Sequence, residues 1–307
     1  MDAAEPTDCM LTLPESRPSR LLPHLTEARA PLTREVEVCD EFGQRRTIQI
    51  PAERPLTLFV DKREVVTLMT LGAAPELLAL GYLRNQRLVE SLDEVESITV
   101  DWDVDAAAVK THRGTSPAIE ARTSRRIVTT GCGQGTMFGS MMDELDGLRL
   151  PPAAAARIRQ STLQVLNEAM RKTDSVHRRA GSVHGCALFR GGEMLTFVED
   201  VGRHNAIDTI AGWMWLHGDG PLGQGADKVF YTTGRLTSEM VMKSAQLGVP
   251  IVISRNGVTQ MGYELAVKLG MTLFGRASQR HFICYCGFDR FDAEPEPERP
   301  PVRVVTG

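Results

Sequence analysis

The sequence predicts an α/β protein, with a three-layer C-terminal domain on parallel strands and a smaller strand-rich α+β domain ahead of it. Helical and strand patterns alternate regularly from residue 203 onward, an order typical of a sheet covered by helices. Short apolar runs alternate with charged turns before residue 125, which indicates hairpins. A length of 307 residues agrees with two domains. We expect a disordered leader over 1–30, an N-terminal domain over 31–125, a mobile cysteine loop over 126–152, an α/β domain over 153–290 and an acidic, Pro-rich tail over 291–307.

The first domain is predicted to contain two hairpins, one helix and two further strands. Val36 and Val38 alternate with charged residues, and the turn that follows them leads into a second apolar run at 47–50. Pro75 is allowed in the first turn of a helix that we expect to reach about Asn85. The other strands are expected at 56–60, 65–71, 97–100 and 107–112.

The second domain is predicted to follow the order αββαβαβαβ. A helix over about 158–171 precedes a strand pair that turns at 190–193. Gly248 and Gly270 stand where helix C-termini favour a left-handed residue, which supports two of the helices. In such a sheet, the loops after the carboxyl ends of the strands form the binding crevice. The alternating elements are expected at 185–189, 194–199, 203–216, 229–232, 238–247, 251–254, 260–269 and 271–274.

Composition argues against several classes of protein. A formal net charge of -4 does not suit a surface built for nucleic acid. No uncharged apolar run has the length of a membrane span, and the first thirty residues lack the pattern of a secretory signal. The six cysteines are scattered, which is typical of reduced thiols rather than of a disulfide scaffold. We therefore expect a cytoplasmic protein that binds neither nucleic acid nor membrane.

The thiol of Cys132 is the first candidate for chemistry. It lies in the run Thr129-Thr130-Gly131-Cys132-Gly133-Gln134-Gly135-Thr136, directly after the apolar pair Ile127-Val128. Glycine removes side-chain cover and permits unusual backbone angles, so the sulfur can be exposed as a nucleophile. A strand that simply runs into a glycine-rich turn is the alternative interpretation.

Two polar corners follow strands of the predicted α/β sheet and begin helices. The first brings Arg203, His204 and Asn205 together, with Asp200 as an expected helix cap. The second presents Gly234, Arg235 and Ser238 at a helix N-terminus, a combination suited to a phosphate. As a phosphate-binding motif the second corner is weak, because the P-loop ending is absent.

A third, basic corner follows the last predicted strand. One phosphate-bearing ligand that lies across all three corners would explain their arginines together. The candidate ligand-binding residues of this corner are Phe274, Gly275, Arg276, Ala277, Ser278 and Gln279.

At these positions the sequence resembles a known family, the accessory sulfurtransferases of formate dehydrogenase (FdhD). The run from Glu199 to Asp208 is a highly specific match, and the other segments support it. Together with the 75–82 helix, the resemblance spans roughly residues 35 to 286. The supporting segments are 131–133, 183–187, 234–241, 248–250 and 264–275.

The resemblance implies a cytidine-deaminase-like fold for the C-terminal domain, and a homodimer. It also implies that Cys132 takes persulfide sulfur from a cysteine desulfurase. The sulfur would pass to the molybdenum (or tungsten) bis-pterin guanine dinucleotide cofactor of formate dehydrogenase, a client rather than a resident group, with no metal of the protein's own. The family's cofactor-binding segment maps onto residues 274–279, matched at Phe274, Gly275 and Arg276 and by position alone at the other three.

One departure from the family and two other functions bear on this interpretation. The family usually carries Cys-x-x-Cys, whereas Gly135 stands at the second position here, which leaves a single-thiol relay or a paralogue of altered activity. A non-catalytic chaperone that escorts the cofactor would use the same corners without a persulfide. A zinc deaminase is excluded, because its His-x-Glu and Pro-Cys-x-x-Cys motifs are absent. A zinc site from His281, Cys284 and Cys286 is disfavoured against a plain terminal strand.

Overall fold

The computed structural model describes residues 22–114, 127–129, 147–218, 220 and 223–294, with the backbone alone at 127–129. In that part of the chain, no helix combines the length and the apolar character needed to cross a membrane.

The N-terminal half forms a six-stranded mixed sheet and a separate two-stranded hairpin. The sheet has the order β1-β6-β7-β4-β5-β8, while β2 and β3 pair with each other in a sheet of their own. Both predicted hairpins are confirmed, since β2 pairs antiparallel with β3 and β4 with β5. The elements are β1 (His24–Leu25), β2 (Thr33–Cys39), β3 (Arg45–Pro51), β4 (Arg54–Val60), β5 (Arg63–Thr70), α1 (Pro75–Asn85), β6 (Val95–Asp101), β7 (Ala106–Thr111) and β8 (Ile127–Thr129).

The C-terminal half is built on a second six-stranded sheet in the order β11-β10-β12-β13-β14-β15. Strands β12, β13 and β14 are parallel, and β10 runs antiparallel to both β11 and β12, so the carboxyl ends of β11 to β14 share one edge. The predicted element order is confirmed, with one short helix and two strands of two residues added, and with a terminal strand after β14. The elements are β9 (Ile158–Arg159), α2 (Gln160–Lys172), α3 (Val176–Ala180), β10 (His184–Arg190), β11 (Glu193–Asp200), α4 (Arg203–Leu216), β12 (Lys228–Thr232), α5 (Ser238–Gln246), β13 (Ile251–Ser254), α6 (Gln260–Leu269), β14 (Thr272–Ser278), β15 (His281–Cys286) and β16 (Phe291–Asp292).

Local signals in the sequence account for these boundaries. Every residue of β12 and β13 is buried, as expected of parallel strands covered on both faces. Gly248 and Gly270 adopt φ of +73° and +65°, so both predicted left-handed positions after helices are confirmed. Thr259 caps α6 by accepting a hydrogen bond from the backbone N–H of Gly262.

The predicted end of the last α/β strand at Phe274, with a corner after it, was wrong. Strand β14 continues to Ser278 and turns directly into the antiparallel strand β15. The register shifts between Gly275 and Ser278, and Arg276 has a positive φ of 52°. Pairing with β15 and the burial of Ala277 hold this polar stretch in the sheet, and neither is visible in local sequence pattern.

The segments predicted as a leader (1–30) and a tail (291–307) both contain residues that pack into the fold. Strand β1 pairs with β6, and the buried Glu76 carboxylate accepts hydrogen bonds from Thr26 Oγ1 and the Ala28 backbone N–H, each at 2.7 Å. At the other end, the Phe291 ring packs edge-on against Phe274, with ring centroids 5.3 Å apart. Residues 24–28 and 291–292 are therefore parts of the fold.

One continuous hydrophobic core joins the two sheets across helices α1 and α4. The helices meet at two glycines. A Cβ atom on Gly81 would lie 1.6 Å from the Asp208 carbonyl oxygen, and one on Gly212 would lie 2.1 Å from the Leu77 carbonyl oxygen. Backbones this close leave no room for a side chain at either position. The predicted division into domains stays a prediction. The close approach of α1 and α4 at these glycines packs the two halves of the chain tightly together.

Candidate functional site

The loops that follow β12 and β13 and the second half of β14 are joined by hydrogen bonds at one edge of the sheet. The Arg255 N–H donates to the Thr232 carbonyl oxygen at 3.1 Å, and the Asn256 side-chain amide donates to the Thr233 carbonyl oxygen at 2.7 Å. The Arg276 N–H in turn donates to the Asn256 carbonyl oxygen at 2.8 Å. The second and third predicted corners therefore meet in space, as the parallel strands require.

Arg203 joins the first corner to the second. It is the first residue of α4 and is 7% exposed. A Cβ on Gly234 would lie 2.7 Å from Arg203 Cδ, so glycine is needed there for the arginine side chain to pass. The buried Arg203 Nε has no hydrogen-bond partner among the residues that the structure describes. A buried donor without a partner is costly, and an anionic ligand would satisfy it.

Four arginines mark this edge, and we call them the cation edge: Arg203, Arg235, Arg255 and Arg276. The last three are exposed, and none of the four forms an ion pair within the described ranges. Burial lowers the pKa of His184, at the start of β10, and the charges of Arg203 and Arg235 add to that effect. Arginine forks in such an arrangement suit phosphate oxygens.

Arg255 and Asn256 are absent from the residues that the sequence singled out. They follow β13 at the same edge as the other corners, and the strand order alone marks that position. Their run, Ser254-Arg255-Asn256-Gly257, has no motif of its own, so only the rule on carboxyl ends of parallel strands points to it.

The N-terminus of α5 contributes further donors to the cation edge. Ser238 is the first residue of α5, and Thr237 precedes it with no side-chain hydrogen bond to the helix. The Thr237 hydroxyl is buried and, in the described part of the chain, has no hydrogen-bond partner. Unpaired N–H groups and the helix dipole at this position favour an anion.

The remaining residues of the first corner serve the packing between sheets. The Asn205 amide donates to Asp200 Oδ1 at 2.9 Å and to the Met69 carbonyl oxygen at 2.7 Å. His204 is 4% exposed at its side chain, and its Nε2 lies 3.1 Å from Glu239 Oε2. Asp200 and Asn205 therefore connect the end of β5 to the corner.

The prediction of Asp200 as the helix cap was wrong, because Gly202 holds that position. Its carboxylate accepts hydrogen bonds from Thr70 Oγ1, from the side chain of Asn205, and from the backbone N–H groups of Leu71 and Gly202, at 2.5 to 3.1 Å. Helix α4 is capped by Gly202, without a side-chain bond. Burial raises the pKa of Asp200 to about 6, against the lowering effect of these four donors.

The predicted residues of the third corner divide between core and surface. Phe274 and Ala277 are fully buried, whereas Arg276, Ser278 and Gln279 are exposed. A Cβ on Gly275 would lie 2.7 Å from the Tyr285 ring, so Gly275 is a close packing position. Any contact of this segment with a ligand is therefore confined to exposed side chains and backbone groups.

The cysteines that the structure describes are poor nucleophiles where they lie near the site. Cys186 is fully buried beside Thr232, and burial raises the pKa of its thiol to about 12. Burial also raises the pKa of Cys284 to about 11. Within the described ranges, no three His, Cys, Asp or Glu side chains converge as a metal site, and His281, Cys284 and Cys286 form no such group. Thiols with these pKa values stay protonated at neutral pH.

Cys132 itself lies outside the described residues, but the strand ahead of it is placed. Strand β8 pairs in parallel with β5, and Thr129 is opposite Leu68. The next residues of β5 are those that bind Asn205 and Asp200. Three residues along the chain lead from Thr129 to Cys132, and three residues span at most ~11 Å. The cysteine segment thus starts beside the first corner.

Known proteins have sequences similar to that of this chain. The model of the FdhD/NarQ family matches residues 51–292, which contain all four arginines of the cation edge. The chain belongs to the FdhD/NarQ family. Among FdhD relatives, the sulfur carrier protein FdhD of Bacillus licheniformis is 28% identical over 248 residues, covering 79% of this chain and 89% of that protein. Its counterpart in Bacillus pumilus is 29% identical over 247 residues, covering 80% and 91%.

A solved structure has the same fold. It is a putative formate dehydrogenase accessory protein from Desulfotalea psychrophila, with a TM-score of 0.66 and 23% sequence identity. The match covers 85% of this chain and 100% of that one. The mixed α/β architecture is therefore confirmed, and the cytidine-deaminase-like description stays a prediction.

Proposed function

We propose that this FdhD/NarQ chain is a sulfur carrier required for formate dehydrogenase activity. Relatives named sulfur carrier protein FdhD support the role. The observation that carries it is the position of Thr129, which starts the cysteine segment beside Leu68, two residues before Thr70 and its bond to Asp200. We infer that the Cys132 thiol, three residues along the chain from Thr129, works at a site for an anionic cargo.

In the loading step, the Cys132 thiolate attacks the terminal sulfur of a persulfide on a cysteine desulfurase. A new S–S bond forms at Cys132 while the S–S bond of the desulfurase breaks, and the desulfurase keeps its thiolate. An unperturbed cysteine thiol has a pKa of about 8.5, so a nearby cation would increase the thiolate fraction. The cation edge supplies such a charge.

In the delivery step, the cargo is the molybdenum or tungsten bis-pterin guanine dinucleotide cofactor. Its phosphates suit the guanidinium groups of Arg203 and Arg235 and the free N–H groups at the start of α5. Arg255 and Arg276 extend the same positive surface toward the β14–β15 turn. Once the cargo is held there, the S–S bond at Cys132 breaks as a metal–sulfur bond forms. Cys132 keeps the proton as its thiol, and the cargo's metal, in its reduced state, supplies the two electrons that convert the transferred sulfur to sulfide.

A single thiol carries the sulfur in this scheme. Gly135 removes the second cysteine of the family pattern, and the thiols of Cys186 and Cys284 stay protonated. A resolving disulfide is therefore no part of the cycle. We further propose a homodimer that works in the cytoplasm, with a cysteine desulfurase and formate dehydrogenase as its partners.

Intact mass after incubation with a cysteine desulfurase and cysteine tests the loading step. We expect the wild-type chain to gain the mass of one sulfur atom and Cys132→Ala to gain none. Cys39→Ala is the matched control, because Cys39 is exposed and lies on the separate β2–β3 hairpin. That variant should load as the wild type does.

Restoration of formate dehydrogenase in cells that lack their own carrier separates the relay from the escort role. We expect Cys132→Ala to restore no activity. If the alanine variant restores activity, or the wild type gains no sulfur at Cys132, the relay is wrong and the protein is an escort that binds the cofactor.

A further inference from the structure

Four ionisable side chains form an alternating line between helices α4 and α5. His204 and Asp208 lie one turn apart on α4, and Glu239 and Lys243 lie one turn apart on α5. His204 Nε2 is 3.1 Å from Glu239 Oε2, and Lys243 Nζ is 3.7 Å from Glu239 Oε1 and 2.8 Å from Asp208 Oδ2. We call these four residues the charge ladder.

The charge ladder is almost completely removed from water. The side chains of Lys243 and Asp208 are 0% and 1% exposed, that of His204 is 4% exposed, and that of Glu239 is 17% exposed. Asn85 of α1 completes the far end by donating to Asp208 Oδ1 at 2.7 Å. Charges in such surroundings must balance, because an unpaired buried charge costs several kcal/mol.

The charge count of the ladder favours one protonation state of His204. Lys243 Nζ lies 2.8 Å from Asp208 Oδ2 and 3.7 Å from Glu239 Oε1, so the amine pairs more closely with Asp208 than with Glu239. With a neutral His204 the ladder carries one net negative charge, and with an imidazolium it carries none. The balanced state is the protonated one, and His204 Nε2 lies within ion-pair distance of Glu239 Oε2, although the two atoms are not aligned as a hydrogen bond.

We propose that His204 and Glu239 form a buried ion pair, with His204 as an imidazolium, and that this pair removes a negative charge that would otherwise oppose anion binding at Arg203. Both residues act as positioning residues for the proposed nucleotide site, on which this inference rests. Arg203 precedes His204 on α4, so the ladder begins directly beside the cation edge.

The other groups around His204 agree with a charge-balanced ladder. Arg203 on the same helix adds a positive charge, and Asp200 at the end of β11 is occupied by its four donors. Tyr82 of α1 lies near the ladder, and burial together with the charges of Asp208 and Glu239 raises its pKa, so its hydroxyl stays neutral. None of these described groups forms an ion pair with Glu239.

A pair of variants tests the charge argument, with GDP as the probe. His204→Gln leaves Glu239 unpaired, so we expect GDP affinity at pH 7 to fall about tenfold through repulsion in a poorly screened site. The double variant His204→Gln with Glu239→Gln restores a neutral ladder and should recover most of the affinity. Glu264→Gln is the control, since Glu264 is an exposed glutamate on α6 bonded to Gln260.

Recovery of GDP affinity in the double variant distinguishes an effect of charge from an effect on the fold. If the double variant binds GDP as weakly as His204→Gln or more weakly, the pair only supports the fold and the proposal is wrong. Thermal melts of both variants show whether each is folded before affinity is compared.

NMR of the histidine ring carbons tests the ion pair in the wild-type chain without any nucleotide. We expect the His204 signal to keep its imidazolium shift at pH 8. In Glu239→Gln we expect a neutral His204 at pH 7, because burial disfavours an unpaired imidazolium. A wild-type His204 that is neutral at pH 7 would overturn the proposal. Absence of GDP binding by wild type would instead count against the nucleotide site, and the titration would still decide the ion pair.

Discussion

At the scale of single residues, burial determines what each polar group at the site can do. Arg203 is buried with a free donor, whereas Asn205 and Asp200 have all their partners within the protein. Cys186 lies beside the same corner, yet its raised pKa keeps it out of sulfur chemistry. Residues that look equally polar in the sequence thus divide into ligand-binding and structural groups.

Replacing Arg203 should weaken nucleotide binding without unfolding the chain. A charge-assisted hydrogen bond to phosphate contributes about 1.5–3 kcal/mol, so we expect Arg203→Gln to lower GDP affinity roughly 10- to 100-fold in calorimetry. Arg203→Lys should fall between wild type and Arg203→Gln, because lysine keeps the charge but not the fork. Arg190→Gln, at the opposite end of β10, is the control and should bind GDP as the wild type does.

Asp200 should make folding stability depend on pH in an unusual direction for a carboxylate. Its pKa is about 6 in the folded chain and about 3.8 without the fold, so the folded state binds the proton more tightly. The stability contribution of this group is present below pH ~4 and is lost as pH rises through 6. Relative to Asp200→Asn, the wild type should lose about 2–3 kcal/mol of unfolding free energy between pH 4 and pH 7.

Urea denaturation of the wild type and Asp200→Asn at a series of pH values measures that difference. The comparison cancels the titration of groups that both proteins share. A difference that grows in favour of the wild type as pH rises would contradict the prediction, and would mean that the four hydrogen bonds outweigh burial.

At the scale of elements, the crossing of α1 and α4 holds the two sheets together. Gly81 and Gly212 permit backbone contact between the helices, and this contact also brings Asn85 to Asp208. The sequence predicts both helices, but their crossing depends on residues more than 120 positions apart.

Adding one methyl group at this crossing should be strongly destabilising. In Gly81→Ala the new Cβ would overlap the Asp208 carbonyl oxygen, so the helices must separate. We expect a loss of about 3 kcal/mol in urea denaturation. Gly147→Ala is the matched control, because a Cβ there meets nothing within 4 Å, and its stability should stay within ~0.5 kcal/mol of wild type.

Strand β14 illustrates where local pattern fails. Arginine, serine and glutamine after Phe274 resemble a loop, yet the β15 partner continues the strand through Ser278. Strand formation depends on the neighbouring strand, which local sequence does not contain. The strand ends at residues 232, 254 and 200, by contrast, agree with their predicted positions to within one residue, because uninterrupted apolar runs define them.

At the scale of the whole molecule, Arg290 forms hydrogen bonds that hold the segment after the cysteine loop in place. The Arg290 side chain is 4% exposed and donates to the carbonyl oxygens of Pro151, Ala156 and Gly270. The last residue of the predicted α/β domain therefore contributes a buried clamp near the boundary between the two halves of the chain.

Removing this clamp should loosen the chain around residue 151. In Arg290→Met three carbonyl groups lose a charged donor, so we expect a loss of about 3 kcal/mol and faster limited proteolysis near 147–156. Arg157→Met is the control, since Arg157 makes an exposed ion pair with Asp292, and it should cost much less. Equal losses in the two variants would mean that burial of Arg290 adds nothing.

Local information in the sequence was enough to predict the α/β order, most element positions, the family and Cys132 as the candidate nucleophile. Those features depend on apolar periodicity, on glycine at special backbone angles and on the match across residues 199–208. The tertiary structure alone reveals Arg255 beside the other arginines, the bond from Thr70 to Asp200 across 130 residues, and the charge ladder. Contacts of this kind depend on how helices and strands pack, and burial then decides which charges are balanced and which await a ligand.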